Sequence, residues 1–251
     1  MEDIIVKIKN KKEFRDIPDS FISDLLDSYI SKNNIKEIKG KKQEKFVLKE
    51  IRAELRKYTG QYQHKQIDRK SMLKKGEILE ILKSHTSTKE RLDFYPALKE
   101  KIKKISPKSI LDLGCGLNPI ALASPDVTYY ACDIKESELE LINDFFKMNK
   151  LKGNAFYFDL RKEIDFPKSD LCLIFKVFDI IESKGHKIAE KILTGVNCNW
   201  MIISFSTRKI SGKRMASPRR QWFDKLLSRL KYDFETFSSE NEFFYIIKKY
   251  S

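Results

Sequence analysis

The feature that most constrains the fold of this 251-residue chain is an apolar run that ends in two closely spaced glycines. Residues 109–119 read Ser-Ile-Leu-Asp-Leu-Gly-Cys-Gly-Leu-Asn-Pro. A largely apolar run of this length is typical of a strand buried on both faces of a parallel sheet. Gly114 and Gly116 allow a tight turn and a close backbone approach to a ligand, and Pro119 suits the first turn of a helix. The segment therefore predicts a strand, a ligand-binding turn and a helix.

The spacing of the glycines distinguishes between the common ligand-binding loops. A dinucleotide-binding loop needs a third glycine where this chain has Pro119, and a phosphate-binding P-loop needs a Gly-Lys-Ser/Thr sequence that does not follow here. The D-x-G-x-G pattern instead favours S-adenosylmethionine as the ligand. The alternative is a tight turn in an unrelated α/β domain. The residues of the motif expected at the cofactor are Asp112, Gly114, Cys115, Gly116 and Asn118.

Further apolar runs alternate with helical patterns along the rest of the chain. The predicted strands after the first are 128–132, 155–158, 171–175 and 200–205, and the predicted helices between them are 136–149 and 183–193. This alternation predicts an α/β fold with a parallel sheet. Two last runs, 233–237 and 243–247, predict a β-hairpin at the sheet edge. That ending is common in the class I, Rossmann-like methyltransferase sheet.

Polar residues at the ends of these strands are predicted to complete the cofactor site. An acid about 20 residues after the glycine turn is where a ribose diol is bound, which gives Asp133 that role. Asp159 is expected either to accept a hydrogen bond from the adenine amino group or to cap the following turn. Neighbouring residues are expected to supply the remaining cofactor contacts: Ile134, Leu160, Phe175 and Lys176.

Positive charge is concentrated near the amino terminus. The formal net charge is +14, and residues 35–75 contain 14 Lys or Arg against 5 Asp or Glu, a local excess of +9. Within this stretch, apolar residues recur at helical spacing at Val47, Ile51, Leu55 and Tyr58. Basic residues recur on nearly the opposite face at Lys45, Lys49, Arg52 and Arg56. We expect this basic stripe to dock on RNA phosphates, the alternative being an ordinary solvated face.

A second basic segment follows the fifth predicted strand. Between Phe205 and Phe223 there is no acidic residue, and the basic residues are Arg208, Lys209, Lys213, Arg214, Arg219 and Arg220. The loop should emerge at the carboxyl ends of the strands, where the ligand site of an open α/β sheet lies. Its charge predicts a phosphate-bearing substrate.

The region before the glycine turn predicts a further part of the site. Ser87-Thr88-Lys89-Glu90 matches a capping box, so a helix should begin near Thr88, and Pro96 should end or restart it. His85 lies just ahead of this helix, and Arg91 one turn into it is expected to bind the methionine carboxylate of the cofactor. The alternatives are a solvated arginine and a histidine that hydrogen bonds within its loop.

Composition excludes several classes of protein. No apolar run approaches the roughly 18–20 residues that span a bilayer, and the amino terminus lacks the layout of a signal peptide. The four cysteines form no C-x-x-C pair and lie in or beside predicted strands, as structural thiols of a reducing cytosol do. The three histidines are far apart in sequence, so no metal site is predicted. These features predict a cytoplasmic protein that does not contact a membrane.

Several motifs together carry a family resemblance. They are H-x-S-T-x-E-R at 85–91, G-C-G-L-N-P at 114–119, L-I-F-K at 173–176, I-S-F at 203–205, S-G-K at 211–213 and W-F at 222–223. In this order, from about residue 78 to 250, the chain resembles the aminoglycoside-resistance 16S rRNA methyltransferases. The resemblance implies methylation of guanine N7 in the ribosomal decoding A site, with S-adenosylmethionine as the donor. It also implies that His85 and Arg91 border the cofactor.

The resemblance assigns the substrate side of the site as well. Lys176 and the Arg208-Lys209 loop would face the RNA, and Phe178 or Trp222 would stack on the guanine, although both are residue types more often found in cores. No general base is expected, because guanine N7 carries an unprotonated lone pair. Two segments depart from the family pattern: Phe178-Asp179 stands where a Leu-Pro pair is usual, and residues 215–220 replace a Met-Glu-x-x-Tyr segment.

These observations predict three regions and one leading function. Residues 1–76 would form a basic helical RNA-docking region, 77–105 a helical connector beside the cofactor, and 106–251 the methyltransferase domain. The expected partner is the small ribosomal subunit or its rRNA, bound by a monomer. One alternative is a methyltransferase for another rRNA nucleotide or for tRNA. The other is a non-catalytic protein of ribosome assembly that binds RNA and the cofactor.

Overall fold

A computed structural model describes residues 2–59, 67–162, 165–182, 185–208 and 212–249 of the chain. Its amino-terminal part is helical, and the helices are α1 (Glu2–Lys9), α2 (Asp19–Lys32) and α3 (Gly40–Thr59). The apolar face predicted for the basic helix is confirmed, since Val47, Ile51 and Leu55 are buried. They pack with apolar residues of α1 and α2, including Ile8 and Phe21, in a separate small core.

Four short helices connect this region to the sheet: α4 (Arg69–Lys74), α5 (Ile78–Lys83), α6 (Thr86–Arg91) and α7 (Tyr95–Ile105). Pro96 lies in the first turn of α7, as predicted. The predicted capping box is wrong, because α6 already begins at Thr86 and its Thr88 is buried. Ser87, the residue predicted to cap, lies inside α6, and the Thr88 hydroxyl donates to the carbonyl oxygen of Leu82 at 2.6 Å.

The strands are β1 (Ser109–Leu113), β2 (Thr128–Asp133), β3 (Gly153–Tyr157), β4 (Ser169–Phe175), β5 (Cys198–Ser206), β6 (Asp233–Ser238) and β7 (Glu242–Lys248). They form one sheet in the order β3-β2-β1-β4-β5-β7-β6. The first five strands are parallel, whereas β7 pairs antiparallel with both β5 and β6. The predicted α/β fold and the terminal hairpin at the sheet edge are confirmed.

Helices cover both faces of this sheet: α8 (Asn118–Leu122), α9 (Glu136–Met148), α10 (Phe178–Ile181), α11 (Lys187–Gly195) and α12 (Gln221–Arg229). The predicted helix 183–193 begins later, at Lys187, and residues 183–184 lie outside the described part of the chain. Alternate residues of each strand enter the two cores, as Ile110 and Leu111 of β1 do. All four cysteines are buried free thiols, in keeping with a structural role.

Residues that pack against the sheet begin within the region predicted for RNA docking. Leu73 of α4 is buried in the core beside the sheet, together with Ile81 of α5 and Leu98 of α7. Packing against the sheet thus begins before residue 76, the end predicted for the RNA-docking region, and the three region boundaries stay a prediction. Within the described residues, every helix is too short or too polar to cross a lipid bilayer.

Candidate cofactor and RNA site

A pocket opens at the carboxyl ends of β1 to β4. The strand order runs outward in opposite directions from β1 and from β4, so the switch point of the sheet lies between these two strands. The empty space inside the pocket, with the open mouth included, is about 810 Å³. Predicted cofactor residues that line it are His85, Gly114, Gly116, Asp133, Ile134, Asp159, Leu160, Phe175 and Lys176. The sequence therefore predicted the location of the pocket and most of its lining, while cofactor contact by each residue stays a prediction.

The glycine turn after β1 forms the floor of the pocket, and both glycines are required by its geometry. Gly114 and Gly116 have backbone φ angles of 64° and 50°, which residues other than glycine rarely adopt. A Cβ atom on Gly114 would lie 2.6 Å from Cγ2 of Val177, and one on Gly116 would lie 3.0 Å from Cε1 of His85. Without side chains, the two glycines let the turn pack against Val177 and His85 and leave its bare backbone at the floor of the pocket. This bare backbone is a cradle that fits the predicted S-adenosylmethionine.

Asp133 ends β2 beside this turn and is held by backbone amides. Its carboxylate accepts hydrogen bonds from the amides of Gly116 at 3.0 Å and Ile134 at 2.7 Å. Burial and the Glu138 carboxylate raise the pKa of Asp133, and the backbone amides oppose this rise. A carboxylate oriented by two amides at a pocket wall is well suited to accept the hydroxyls of a ribose.

Two neighbouring charges were missed by the sequence analysis. Glu138 is buried in the first turn of α9 and lies 3.3 Å from Arg69 and 3.9 Å from Lys135. Burial opposes its ionisation, but Lys135 and Arg69 outweigh this and lower the pKa of Glu138 to about 2. Glu138 and Lys135 both line the pocket. The available signal was their mutual spacing of three residues shortly after Asp133, but this spacing is indistinguishable from that of an ordinary helix pair.

His85 immediately precedes α6, at its N-cap position but without a side-chain capping bond, and packs against the glycine turn. Its ring is buried, and this burial lowers the pKa of His85 to about 4. The imidazole is therefore neutral at physiological pH. As a neutral, packed ring above Gly116, it shapes the pocket and is a weak proton acceptor.

Four residues predicted to bind the cofactor are not among those that line the pocket: Arg91, Asp112, Cys115 and Asn118. Cys115 is buried, and Asp112 accepts a hydrogen bond from the Tyr129 hydroxyl at 2.8 Å. Burial raises the pKa of Asp112 to about 7. The side-chain oxygen of Asn118 accepts from Arg91 at 2.6 Å and from the Tyr95 hydroxyl at 2.8 Å. These side chains support the turn from beneath.

The prediction that Arg91 binds the methionine carboxylate is wrong for the structure as it stands. The Arg91 side chain is 1% exposed and forms an ion pair of 2.7 Å with Glu242, which is also 1% exposed. Burial opposes charge on Arg91, but Glu242 outweighs it and raises the pKa of Arg91 above its usual value. The partner comes from the carboxyl-terminal hairpin, so no local pattern near Arg91 revealed it.

Lys176 follows β4 directly and reaches the pocket in a strained conformation. Its φ angle of 59° is uncommon for a residue other than glycine and is often found at functional sites. The ammonium group pairs with Glu90 at 2.6 Å and lies 3.9 Å from Glu242. Glu90 therefore serves Lys176 and not the helix start, which is why the capping box fails.

Asp159 follows the second of its two predicted roles. It accepts a hydrogen bond from the backbone amide of Arg161 at 3.0 Å, which caps the turn after β3. The Arg161 guanidinium binds the same carboxylate, with a shortest distance of 2.6 Å. Arg161, together with Phe21 and Tyr58 of the amino-terminal helices, also lines the pocket. The sequence analysis missed all three.

The aromatic residues expected to stack on the guanine lie in different environments. Phe178 is 1% exposed and packs between Phe205 and Phe223, with ring centroids 6.2 and 5.9 Å away. The stacking role predicted for Phe178 is therefore wrong, because the hydrophobic core already covers its ring. Trp222 is half-buried and stacks on His186 at 3.8 Å, nearly parallel. Stacking of Trp222 on RNA stays a prediction.

Three arginines of the basic loop after β5 form ion pairs that its sequence did not indicate. Arg208 and Arg214 both pair with Glu240, at 2.7 and 3.4 Å, and Arg219 pairs with Asp224 at 2.7 Å. Lys213 is exposed, and Lys209 lies outside the described residues. The loop contains no acid, as predicted, but the carboxylates that fold against it come from α12 and the β6–β7 turn.

The two segments that depart from the family pattern contact each other. Arg220 pairs with Asp179 at 2.9 Å, and the Asp179 carboxylate also accepts from the Ser206 amide at 2.7 Å. The aspartate from one departure thus neutralises the arginine from the other. The two departures from the family pattern are therefore joined by an ion pair.

The basic stripe on α3 divides into two parts. Lys45 and Lys49 are exposed. Arg52 instead donates to the carbonyl oxygen of Lys7 at 2.6 Å, and Arg56 pairs with Glu13 at 2.7 Å. The two arginines therefore also tie α3 to the rest of the helical region, and docking of the stripe on RNA stays a prediction.

Comparisons with known proteins agree with this geometry. Residues 70–246 match the model of the family described as ribosomal RNA methyltransferase (FmrO). A 16S rRNA (guanine(1405)-N(7))-methyltransferase of Serratia marcescens is 32% identical, with coverage of 70% of this chain and 72% of the relative. The solved 16S rRNA methylase RmtB has a TM-score of 0.80 at 25% identity and covers 99% and 98% of the two chains. RmtF in complex with S-adenosyl-L-homocysteine gives 0.83 at 20% identity over 99% and 98%, a likeness of fold. The chain belongs to the FmrO family of ribosomal RNA methyltransferases.

Proposed function

We propose that this protein transfers the methyl group of S-adenosyl-L-methionine to N7 of guanine 1405 in 16S rRNA. The observation that carries the proposal is the glycine cradle with Asp133 at its side, inside the segment matched by the family. Relatives of that family are named for this reaction. Methylation of this guanine would act in the cytoplasm, where small subunits are, and would confer the aminoglycoside resistance that the sequence resemblance implies.

The residues of the pocket have distinct tasks in such a reaction. The Gly114–Gly116 turn and Asp133 bind and orient the cofactor, which supplies an electrophilic methyl group on its sulfonium sulfur. Buried side chains beneath the turn, Asn118 and Arg91 among them, keep this cradle in place. Lys176 lines the pocket with its ammonium group paired to Glu90, and it would contact an RNA phosphate or base edge by exchanging this partner. Catalysis then depends on alignment of the guanine with the methyl group.

The protonation states of the lining groups favour attack by N7 over attack by an exocyclic amine or a ribose hydroxyl. Guanine N7 loses no proton on methylation, so it needs no general base. Glu138 has a pKa of about 2 and is ion-paired, and His85 has a pKa of about 4. Asp133 is held by two amides. With pKa values so far below neutral, Glu138 and His85 are poor proton acceptors in a reaction that must remove a proton at neutral pH.

Methyl transfer to different RNAs tests the substrate class. The full-length protein would be incubated with methyl-labelled cofactor and, in separate reactions, with small ribosomal subunits, free 16S rRNA and tRNA. The proposal expects label in 16S rRNA and none in tRNA. Label in tRNA alone would contradict it in favour of a tRNA methyltransferase. Cofactor and RNA binding without any transfer would instead indicate the non-catalytic assembly protein.

A further inference from the structure

The amino-terminal helices form one wall of the cofactor pocket. Phe21 of α2 and Tyr58 of α3 line the pocket next to Leu160 and Arg161. These two aromatic residues are 37 positions apart and belong to the small core of the helical region, not to the sheet. The part of the chain that carries the basic stripe therefore also encloses the cofactor site.

Arg161 is the residue that joins this wall to the sheet. Its guanidinium binds the Asp159 carboxylate at the end of β3, at 2.6 Å. The same guanidinium lies 4.1 Å from the ring centroid of Phe21 and 5.4 Å from that of Tyr58. The two rings meet edge to face at 5.5 Å. A cation held by a carboxylate on one side and by two aromatic rings on the other links both regions at the pocket itself.

Further polar contacts between the regions flank the two strand ends that contribute carboxylates to the pocket. Beyond Asp133, the Asp16 carbonyl accepts from the Glu136 amide at 3.1 Å, and the Asp16 carboxylate accepts from Ser137 at 2.6 Å. Beyond Asp159, Lys162 pairs with Asp24 at 2.7 Å. The helical region is thus attached on both sides of the pocket that it covers.

We propose that cofactor binding and docking of the amino-terminal helices are energetically coupled through Arg161, Phe21 and Tyr58. This inference rests on the proposed cofactor. A ligand that contacts one arrangement of a protein stabilises that arrangement, and the docked helices must in turn raise the affinity for the ligand. Occupancy of the pocket thereby fixes the position of Lys45 and Lys49 on α3, so the loaded enzyme presents its RNA-docking surface in a defined place.

Hydrogen exchange of the full-length protein with and without S-adenosyl-L-homocysteine tests the coupling. We expect the ligand to slow exchange in α2 and α3 as well as around the glycine turn. Tyr58→Ala and Arg161→Ala should weaken ligand binding roughly tenfold, the scale of a desolvated cation–π contact. Tyr29→Ala is the matched control, because Tyr29 packs on the same helical core but does not line the pocket. Its affinity for the ligand should equal that of the wild type.

The outcomes separate this inference from the proposed function. Binding of the ligand with slowed exchange confined to residues 85–181, and with unchanged affinity in both variants, would overturn the coupling alone. Failure of the wild type to bind S-adenosyl-L-homocysteine would overturn the cofactor assignment and the coupling with it. The exchange measurement on the wild type needs no substitution, so it decides the question even where a variant fails to fold.

Discussion

At the scale of single residues, the site depends on charges whose partners lie far away in the sequence. Arg91 is paired with Glu242, Lys176 with Glu90, and Arg69 with Glu138. The sequence revealed which residues end the strands, because that follows from local apolar patterns. It did not reveal these ion pairs, because several acidic residues in the chain could pair equally well with each of these basic residues. The wrong roles predicted for Arg91 and Glu90 both have this cause.

Asp133 is the residue on which cofactor affinity should depend most. Asp133→Asn removes the negative charge that would accept ribose hydroxyls, and the loss of a charge-assisted hydrogen bond is worth about 1.5–3 kcal/mol. Calorimetric affinity for S-adenosyl-L-homocysteine should fall roughly 10- to 100-fold. Asp170→Asn is the control, since Asp170 also accepts from backbone amides, at the opposite end of β1. Equal affinity in both variants would exclude the ribose role.

The glycine turn makes a separate prediction about stability. Gly114→Ala places a methyl group 2.6 Å from Val177 in a left-handed backbone conformation. Gly76→Ala shares the left-handed φ, at 75°, but has nothing within 4 Å. Both should lose about 1–2 kcal/mol to backbone strain, and Gly114→Ala should lose about 1–3 kcal/mol more from overpacking. Urea unfolding would measure both, and an equal loss would show that the contact with Val177 is unimportant.

Asp112 should make stability depend on pH. Burial raises its folded pKa to about 7, whereas the unfolded chain has a value of about 3.9. Between these values the folded state binds a proton that the unfolded state has lost, so the stabilisation by Asp112 is complete below about pH 4 and is lost as the pH rises through about 7. The unfolding free energy of the wild type minus that of Asp112→Asn should therefore fall over this window. A constant or rising difference would contradict the burial of a protonated carboxyl group.

At the scale of elements, the strands were the most predictable part of the molecule. Each predicted strand is confirmed within about two residues at either end. The buried parallel strands are written as apolar runs, whereas the largely exposed, antiparallel β6 followed from the hairpin pattern at the end of the chain. Short helices were less predictable. The start of α6 is set by burial of Thr88 and by the Lys176–Glu90 pair, which override the capping pattern. Similarly, Phe178 is in the core because two aromatic rings from distant elements, Phe205 and Phe223, pack against it.

The two halves of the basic stripe on α3 should behave differently. Lys45→Gln with Lys49→Gln removes exposed charges, so binding to small subunits should weaken and the slope of log K against log salt should fall by about 0.7–0.9 per lost phosphate contact. Arg52→Gln and Arg56→Gln should instead lower stability, because both arginines bind within the helical region. Lys103→Gln with Lys104→Gln is the control, with equal charge loss on exposed positions of α7. If the two double-lysine variants gave the same slope of log K against log salt, the basic stripe would be an ordinary solvated face and not an RNA contact.

At the scale of the whole molecule, one end of the sheet brings together three parts of the chain. The glycine turn and strand ends supply the cofactor cradle, the carboxyl-terminal hairpin supplies Glu242, and the amino-terminal helices supply Phe21 and Tyr58. The sequence predicted the first part, since its residues follow strands directly. It predicted the amino-terminal helices only as an RNA-docking surface. The spacing of apolar residues shows which face of a helix is buried, but not which distant element that face covers.

The identity of the methylated nucleoside tests the central claim most directly. Small ribosomal subunits would be treated with the full-length protein and cofactor in a single turnover, and the 16S rRNA would be digested and analysed by mass spectrometry with mapping of the modified position. The account predicts 7-methylguanosine at guanine 1405, the position named for the relatives. A methyl group on an exocyclic amine, a ribose or a ring carbon, or at another nucleotide, would contradict it.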